Sequence, residues 1–314
     1  MEAFTRHKVR FPISNTECVA WHYPGDNGAC VVMAPGFGVI KEAGTDRLAR
    51  RFVEAGFSVV AFDYRRFGES GGKPRQLVRI GDQLEDWQAA IRCARSLPEV
   101  DPDRIAIWGF SLSGGHVFPV AARNPDLAAA ISHSGLGDGI AAFQNARRFT
   151  TLGAMLRLTG AVLLDLLGGL FGQRFLIPLT GRPGTVASIT TPDSLNGDAA
   201  LNPGNCYPQW QREVAAASAI RLAFYRPGRE ARKVQVPLLV LAYEDDGVAP
   251  PGPVIAAAEG APRGEVVKLP GGHYQAFLGG LDQAVEAMLR FLRGHLLQKA
   301  DERSARTQES IRAA

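Results

Sequence analysis

Cysteine is scarce in this sequence, with four residues in a chain of 314. No two of them are close enough together to match the spacing of a zinc site or a redox motif. We therefore predict no metal site and expect buried free thiols. The cysteines are Cys18, Cys30, Cys93 and Cys206.

The chain also lacks a strong excess of charge of either sign. The 35 Lys and Arg residues against 31 Asp and Glu residues give a formal net charge of +4. The basic residues are scattered along the chain, whereas nucleic-acid-binding domains gather them on one face or in one run. The composition therefore argues against a nucleic-acid partner.

Targeting and membrane segments are missing from the pattern as well. Residues 1–11 have no apolar core of the kind found in a secretory signal. The most apolar stretch, residues 152–171, is interrupted by Arg157 and Asp165, and a membrane span needs about 20 predominantly apolar residues. We expect no membrane anchor and a location in the reducing cytoplasm.

What the chain does contain is a regular alternation of apolar runs and helical stretches, after an opening hairpin with its turn at Ser14 and Asn15. Continuous apolar strands that alternate with helices are typical of a parallel sheet covered on both faces. The sequence therefore predicts an α/β fold with a mostly parallel central sheet. The predicted strands after the hairpin are residues 30–34, 58–63, 104–110, 128–132, 236–243 and 265–269.

This alternation stops for about 100 residues and then resumes. We assign residues 1–136 and 234–297 to the core and residues 137–233 to an insertion of helices joined by loops. An insertion of this length is usually functional or carries structure of its own. We predict a lid over the strand ends, with a second packing domain as the alternative. Residues 298–314 form a polar tail that we expect to be disordered.

The segment Gly109-Phe110-Ser111-Leu112-Ser113 lies between a predicted strand and a predicted helix. A serine between small residues at such a junction occupies a tight turn that exposes its hydroxyl at the sheet edge. The segment matches the nucleophile pattern G-x-S-x-G except that Ser113 replaces the last glycine. Ser111 is therefore the predicted nucleophile, and it requires a base and a group that orients the base.

His273 is the predicted base because it lies in a glycine-containing loop directly after the last predicted strand, at the same sheet edge as Ser111. His116 and His295 fall within helices, where a packed or solvated histidine is the usual explanation. His133 ends a strand and is at best a pocket-lining residue. Tyr274, next to the predicted base, is a second candidate for the pocket lining.

Three carboxylates follow the strand that ends at Tyr243. We prefer Asp246 as the triad acid over Asp245, and Asp138 after an earlier strand is a further alternative. The structural alternative for such an acidic cluster is a solvated turn.

These residues resemble the α/β-hydrolase superfamily with a helical lid, and the likeness covers residues 7–297. The family's triad runs in the order Ser, Asp, His, which Ser111, Asp246 and His273 follow. Asp246 also begins a D-x-V-x-P turn of the family type. Residues 63–72 resemble the structural D-x-R-G-x-G-x-S segment, with Arg66 in place of a glycine.

The resemblance also implies an oxyanion hole. Preset donors are needed for the charge that develops on an acyl carbonyl. The backbone amide of Leu112 would supply one donor. The Pro35-Gly36-Phe37-Gly38 segment resembles the family's His-Gly loop, with Pro35 in place of the histidine, and the Phe37 amide would supply the other.

The elbow pattern G-x-S-x-S-G-G-H most resembles lid-bearing hydrolases related to the dienelactone-hydrolase and X-prolyl-peptidase-like groups. This resemblance implies hydrolysis of a carboxylic ester or thioester of a small molecule, without a cofactor. Acyl transfer, peptidase action and a non-catalytic binding protein are the alternatives, and a homodimer is left open. Apolar insertion residues suggest an apolar acyl or aromatic substrate, although they would equally serve to bury the lid: Phe149, Leu152, Leu156, Leu163, Leu166, Phe171 and Phe175.

Overall fold

A computed structural model describes residues 5–297 of the chain. The predicted polar tail, residues 298–314, lies outside the described residues. The strands are β1 His7–Ile13, β2 Thr16–Tyr23, β3 Cys30–Ala34, β4 Ser58–Phe62, β5 Ile105–Phe110, β6 Ala129–His133, β7 Leu176–Pro178, β8 Glu213–Ala215, β9 Leu238–Tyr243 and β10 Gly264–Leu269.

The α-helices alternate with these strands in the core and dominate the insertion. They are α1 Lys41–Glu54, α2 Ile80–Arg95, α3 Leu112–Arg123, α4 Gly139–Ala146, α5 Leu152–Gly169, α6 Gly197–Leu201, α7 Ala217–Ala223, α8 Pro251–Glu259, α9 Gln275–Leu278 and α10 Leu281–Leu292. Short 3₁₀ turns span Arg147–Phe149, Pro192–Asn196, Pro203–Asn205 and Pro227–Lys233, and a π-helical turn, Arg293–Leu297, follows α10.

The central sheet has eight strands in the order β1-β2-β4-β3-β5-β6-β9-β10. The β2 strand pairs antiparallel with β1 and β4, and all other pairs are parallel. Every residue of β3, β4, β5, β6 and β9 is buried, as expected for parallel strands covered on both faces. Helix α1 contacts α10, while α2 contacts α3. The predicted fold class is thus confirmed.

The strand order reverses around β3. The chain runs from β3 to β4 on one side and then crosses back to β5 on the other. Such a switch point opens a crevice at the carboxyl ends of the two strands that flank it, and ligands of open α/β sheets bind there. The loops that follow β3 and β5 therefore face each other across this crevice.

The insertion between β6 and β9 contains more than helices joined by loops. The three-residue strands β7 and β8 form a separate antiparallel pair. Sequence patterns do not predict this pair, because each strand is short and its partner lies more than 30 positions away. Pairing of this kind depends on tertiary contacts rather than on local preference.

Helix α5 is the helix among residues 5–297 that is long and apolar enough to cross a membrane, judged by length and composition alone. Its buried residues are Ala154, Ala161, Val162 and Asp165. The Asp165 side chain is fully buried and accepts hydrogen bonds from the backbone N–H groups of Phe175 (3.0 Å) and Ala217 (2.9 Å). Asp165, the acidic residue that interrupts the apolar stretch, thus anchors α5 to neighbouring segments of the insertion.

Candidate active site

Ser111 joins β5 to α3 in a strained backbone conformation. Its φ is 57° and its ψ is −118°, a region that non-glycine residues rarely adopt and that is common at functional sites. Three backbone hydrogen bonds hold it there. The Ser111 N–H donates to the His133 carbonyl (2.9 Å), and the Ser111 carbonyl accepts from Gly115 and Leu136 (3.0 Å each).

The glycines of the elbow are required by close packing. A Cβ atom at Gly109 would lie 2.2 Å from the Ser113 carbonyl oxygen, and one at Gly114 would lie 2.7 Å from the Gly135 Cα. Such contacts with backbone atoms leave no room for a side chain. The tight turn that presents Ser111 therefore depends on both glycines.

Ser111, His273 and Asp246 form one hydrogen-bonded chain although they are far apart in sequence. The Ser111 Oγ lies 2.9 Å from His273 Nε2, and His273 Nδ1 lies 2.7 Å from Asp246 Oδ2. All three side chains are buried. A hydroxyl, an imidazole and a carboxylate in this order can move the serine proton onto the imidazole when the oxygen attacks a carbonyl carbon.

The backbone prepares Asp246 to orient the imidazole. Its Oδ1 atom accepts from the N–H groups of Val248 (3.0 Å) and Ala249 (2.7 Å), which leaves Oδ2 for His273. Burial raises the pKa of Asp246, while the charge and hydrogen bond of His273 oppose this rise. The alternative acids lie elsewhere: Asp245 is exposed, and Asp138 caps α4 and pairs with Arg226 (2.6 Å).

The two expected oxyanion donors flank Ser111. Leu112 is the first residue of α3, so its N–H has no partner within the helix. The Phe37 loop is pressed against the nucleophile, since a Cβ at Gly36 would lie 3.2 Å from the Ser111 Cβ. An oxygen bound next to Ser111 would therefore meet the backbone of both segments.

Ser113 contributes hydrogen bonds to the elbow, in addition to being small enough for the tight turn. Its fully buried hydroxyl donates to the Pro35 carbonyl and lies 2.5 Å from the Tyr64 hydroxyl, which is placed to donate to it. The departure from G-x-S-x-G thus ties the elbow to the loop that carries Phe37. The signal was visible in the sequence as a serine where a glycine is usual.

The D-x-R-G-x-G-x-S segment, residues 63–72, holds the end of the Phe37 loop where that loop leads into α1. The buried Asp63 carboxylate accepts from the Lys41 N–H (2.7 Å), the Lys41 Nζ (2.8 Å) and the Glu69 N–H (3.0 Å). Lys41 is the first residue of α1, which begins where the loop ends. Arg66 has a φ of 75°, a left-handed conformation that explains why a glycine is usual at its position.

Asp193, in the insertion, contacts both loops that carry the acid and the base, and sequence reasoning did not find it. Its Oδ2 atom accepts from the Gly247 N–H (2.9 Å) and the His273 N–H (3.4 Å). Its Oδ1 atom is buried without a hydrogen-bond partner among the described residues. No local pattern distinguishes it from the other polar residues of its loop-rich segment.

A narrow pocket lies beside Ser111. Its volume is about 10 Å³, room for roughly one water molecule. Both parts of the chain build its wall, which is mostly apolar. The core contributes Gly36, Phe37, Val39, Phe110, Ser111 and Tyr274, and the insertion contributes Leu179, Thr180, Ile189, Gly197, Asp198, Leu201 and Trp210.

Of the two predicted pocket-lining residues, Tyr274 lines the pocket and His133 does not. His133 is fully buried, and its ring lies among Trp108, Phe110, Tyr243 and Phe277. Burial lowers the pKa of His133 to about 3, helped by the nearby His273. The expectation failed because a residue at the end of a doubly covered strand still belongs to the core.

The other histidines have structural surroundings. His116 Nδ1 lies 2.8 Å from the Tyr225 hydroxyl, and its Nε2 lies 3.0 Å from the Gln83 side-chain oxygen. Burial lowers the pKa of His116 to about 3. His295 lies in the π-helical turn, 3.7 Å from Glu265. Neither contacts Ser111.

Two further expectations are wrong. Cys206 is exposed, whereas the other three cysteines are buried free thiols. The apolar insertion residues neither line the pocket nor bury the insertion, because six of the seven point outward and the seventh, Phe149, is half-buried. The exposed six are Leu152, Leu156, Leu163, Leu166, Phe171 and Phe175.

Comparison with known proteins gives consistent likenesses. A family model described as serine aminopeptidase, S33, matches residues 25–273. The chain is 36% identical over 291 residues to the quorum-quenching protein AidA of Acinetobacter baumannii (strain MDR-ZJ06), which covers 91% of this chain and 93% of AidA. It is 44% identical over 88 residues to the thiohydrolase aneE of Aspergillus aculeatus, 28% of each chain. The structure of DcsB in complex with its substrate analogue matches with a TM-score of 0.77 at 25% identity, covering 93% of this chain and 100% of DcsB.

Proposed function

Because the chain belongs to the serine aminopeptidase S33 family of α/β-hydrolases, we propose that it is a serine hydrolase that cleaves a carboxylic ester or thioester through an acyl-enzyme. One observation carries the proposal: the Asp246, His273 and Ser111 side chains form a continuous hydrogen-bonded chain at the sheet edge. The strained Ser111 backbone supports it, since strain of this kind concentrates at functional sites.

In the first half-reaction, the Ser111 oxygen forms a bond to the acyl carbon as its proton passes to His273 Nε2. The carbonyl electron pair moves onto the oxygen, which the N–H groups of Phe37 and Leu112 stabilise. When the carbonyl re-forms, the bond to the leaving alkoxide or thiolate breaks and His273 returns the proton to it. The products are an acyl-Ser111 ester and a free alcohol or thiol.

In the second half-reaction, water replaces the leaving group. His273 accepts a proton from the water as its oxygen attacks the acyl carbon, and the same two N–H groups hold the second oxyanion. Collapse breaks the bond to Ser111 and returns the proton to the Ser111 oxygen. Asp246 stays ionised and holds His273 in the tautomer that presents Nε2 to the serine.

The pocket wall favours an apolar acyl group. Phe37, Val39 and Phe110 from the core face Leu179, Leu201 and other apolar residues of the insertion, and apolar walls with a few polar groups are typical of small-molecule sites. The relative named a thiohydrolase supports thioesters within this class.

The insertion acts as a lid in this proposal, because a pocket that holds one water molecule cannot hold an acyl substrate. Three polar contacts close the lid over the site. Trp210 Nε1 donates to the Gly38 carbonyl (2.9 Å), the Tyr207 hydroxyl donates to Asp46 (3.1 Å), and Asp193 accepts from Gly247 (2.9 Å). Substrate entry requires some of these contacts to break, as in other enzymes gated by loops.

Matched p-nitrophenyl oxoesters and N-acetylcysteamine thioesters of C2 to C10 acids test the proposal. We expect wild-type turnover of medium-length acyl groups and loss of turnover in Ser111→Ala. Products analysed with an added amine or alcohol separate hydrolysis from acyl transfer, and a short peptide tests peptidase action. Equal turnover by wild type and Ser111→Ala would refute the proposal, and so would an absence of turnover on both substrate series.

A further inference from the structure

The outward side of α5 and the turn that follows it form an apolar surface on the insertion, and none of its residues lines the pocket. We call it the leucine face. Its side chains are between 44% and 82% exposed, although large apolar residues are among the types most often buried. It consists of Leu152, Leu156, Leu163, Leu164, Leu166, Leu167, Leu170 and Phe171.

The leucine face cannot turn inward without breaking the anchor on the opposite side of the helix. Asp165 is fully buried, and each of its carboxylate oxygens accepts a backbone N–H from another segment. Ala154, Ala161 and Val162 pack on the same buried side. The exposure of the leucines therefore belongs to the fold of the insertion.

The size of the surface exceeds what a monomer usually leaves in water. Eight large apolar side chains at these exposures present on the order of 800 Å², whereas the largest patch on a typical monomer is about 300–600 Å². One partner in a standard protein interface contributes about 800 Å². The leucine face is thus comparable in area to one side of such an interface.

The shape of the surface suits a second helix. Leu152, Leu156, Leu163, Leu167 and Leu170 follow helical spacing, so they form a ridge along one side. Gly160 interrupts this ridge, and a Cβ added there would meet nothing within 4 Å. A ridge with a notch can pack against its own copy when the two helices are related by a two-fold axis.

The charge pattern points to the same partner. Helix α5 carries two charged residues, the exposed Arg157 and the buried Asp165. A helix that lies on a lipid surface combines its apolar face with a polar face rich in Lys and Arg. The opposite face of α5 is instead docked on the insertion.

We infer that the leucine face binds the leucine face of a second copy of this chain, so that the protein is a two-fold dimer joined through its insertions. This inference does not depend on the proposed catalytic activity. It predicts that the dimer fixes α5, and with it the outer part of the insertion, in one position.

Sedimentation velocity over a range of concentrations tests the inference with two variants of the full chain. Leu163→Asp places a charge in the face and Gly160→Phe fills the notch. Gly160→Phe keeps the face apolar and replaces a poor helix former, so it leaves folding intact. We expect a wild-type dimer and a dissociation constant at least about 100-fold higher for each variant. Leu278→Asp, at a leucine that is 49% exposed outside the insertion, is the matched control and should remain dimeric.

Two further measurements distinguish the partner. Flotation with vesicles of phosphatidylcholine, with and without phosphatidylglycerol, should show no binding by wild type or Gly160→Phe. Leu156→Cys, Leu163→Cys and Leu167→Cys, each made alone in a Cys206→Ser background, should include at least one variant that forms a disulfide between copies upon oxidation, namely the one whose residue lies next to the two-fold axis. A wild-type monomer, vesicle binding that Gly160→Phe preserves, or a dimer that both variants leave unchanged would each overturn the inference.

Discussion

The central sheet and helix α5 are built from similar apolar residues, yet they use them in opposite ways. Strands β3, β4, β5, β6 and β9 bury every residue. Helix α5 buries four of its 18 residues, and one of those four is Asp165. Apolar content therefore predicts the element but not the direction it faces. The direction is set by the polar group, because a buried carboxylate must find donors.

The core and the insertion, to which the sheet and α5 belong, also make different contributions to the candidate site. The core carries Ser111, Asp246 and His273 on short loops that follow β5, β9 and β10, where packing and backbone hydrogen bonds fix each side chain. The insertion supplies about half of the pocket wall and contacts the core through single hydrogen bonds such as those of Trp210 and Asp193. We expect changes in the core loops to alter the reaction and changes in the insertion to alter access and stability.

The largest effect should come from the core. Asp246→Ala and His273→Ala should each lower kcat/KM by about 10⁴-fold or more, because removal of one triad member leaves the others without a complete proton path. Hydrolysis of a p-nitrophenyl ester measures this. Asp245→Ala is the matched control, since its exposed carboxylate lies one residue away and should change the rate by less than about twofold. A comparable loss of kcat/KM in Asp245→Ala would contradict the assignment of Asp246 as the triad acid.

The next effect tests the anchor of the insertion. Asp165→Ala leaves the buried N–H groups of Phe175 and Ala217 without an acceptor and should cost about 2–4 kcal/mol of the free energy of unfolding. Urea denaturation measures this cost. Arg157→Ala on the exposed side of the same helix should stay within about 0.5 kcal/mol. A cost below about 1 kcal/mol for Asp165→Ala would show that α5 is not held by its buried carboxylate.

A smaller effect on rate tests the link between the elbow and the oxyanion loop. Ser113→Ala removes the donor to Pro35, so the Phe37 amide loses a fixed position and kcat should fall by about 10-fold to 100-fold with little change in KM. Tyr64→Phe should have a weaker effect of the same kind. Ser132→Ala is the control, because the buried Ser132 hydroxyl has no hydrogen-bond partner among the described residues. An unchanged kcat in Ser113→Ala would show that the Ser113 hydroxyl does not position the Phe37 amide.

A further effect is on the pH dependence of stability, and it appears only under acidic conditions. Burial lowers the pKa of His116 and His133 to about 3, below the value of about 6.5 in the unfolded chain. The unfolded state therefore binds more protons below pH 6.5, and stability present above that pH is lost as the pH falls.

Each of these two histidines should contribute a slope of up to about 1.4 kcal/mol per pH unit between pH 6 and pH 4. Denaturation of His133→Gln should show a shallower fall than wild type. A fall of equal slope in wild type and His133→Gln would mean that other groups dominate acid unfolding.

Much of the core could be predicted because its signals are local. The uninterrupted apolar runs CVVMA and SVVAF predict buried strands, and both are buried. The small residues between Gly109 and Ser113 predict the tight turn, because larger side chains would not fit there. The preference for Asp246 over Asp245 rested on turn register, and the hydrogen bond to His273 agrees with it.

The remainder depends on contacts between distant segments. Asp193 meets His273 across 80 positions, and the Ser113 hydroxyl meets Pro35 across 78. No local sequence pattern predicts either of these two contacts. The outward turn of α5 was missed for the same reason, since it depends on where the N–H groups of Phe175 and Ala217 lie.

Intact-mass analysis after incubation with a small dialkyl fluorophosphonate tests most directly whether Ser111 is an activated nucleophile. We predict one adduct on wild type, one on Ser113→Ala at a lower rate, and none on Ser111→Ala or His273→Ala. Trp210→Ala, which loosens the contact with Gly38, should label at least as fast as wild type. An adduct on Ser111→Ala, or no adduct on either folded wild type or Trp210→Ala, would contradict the account.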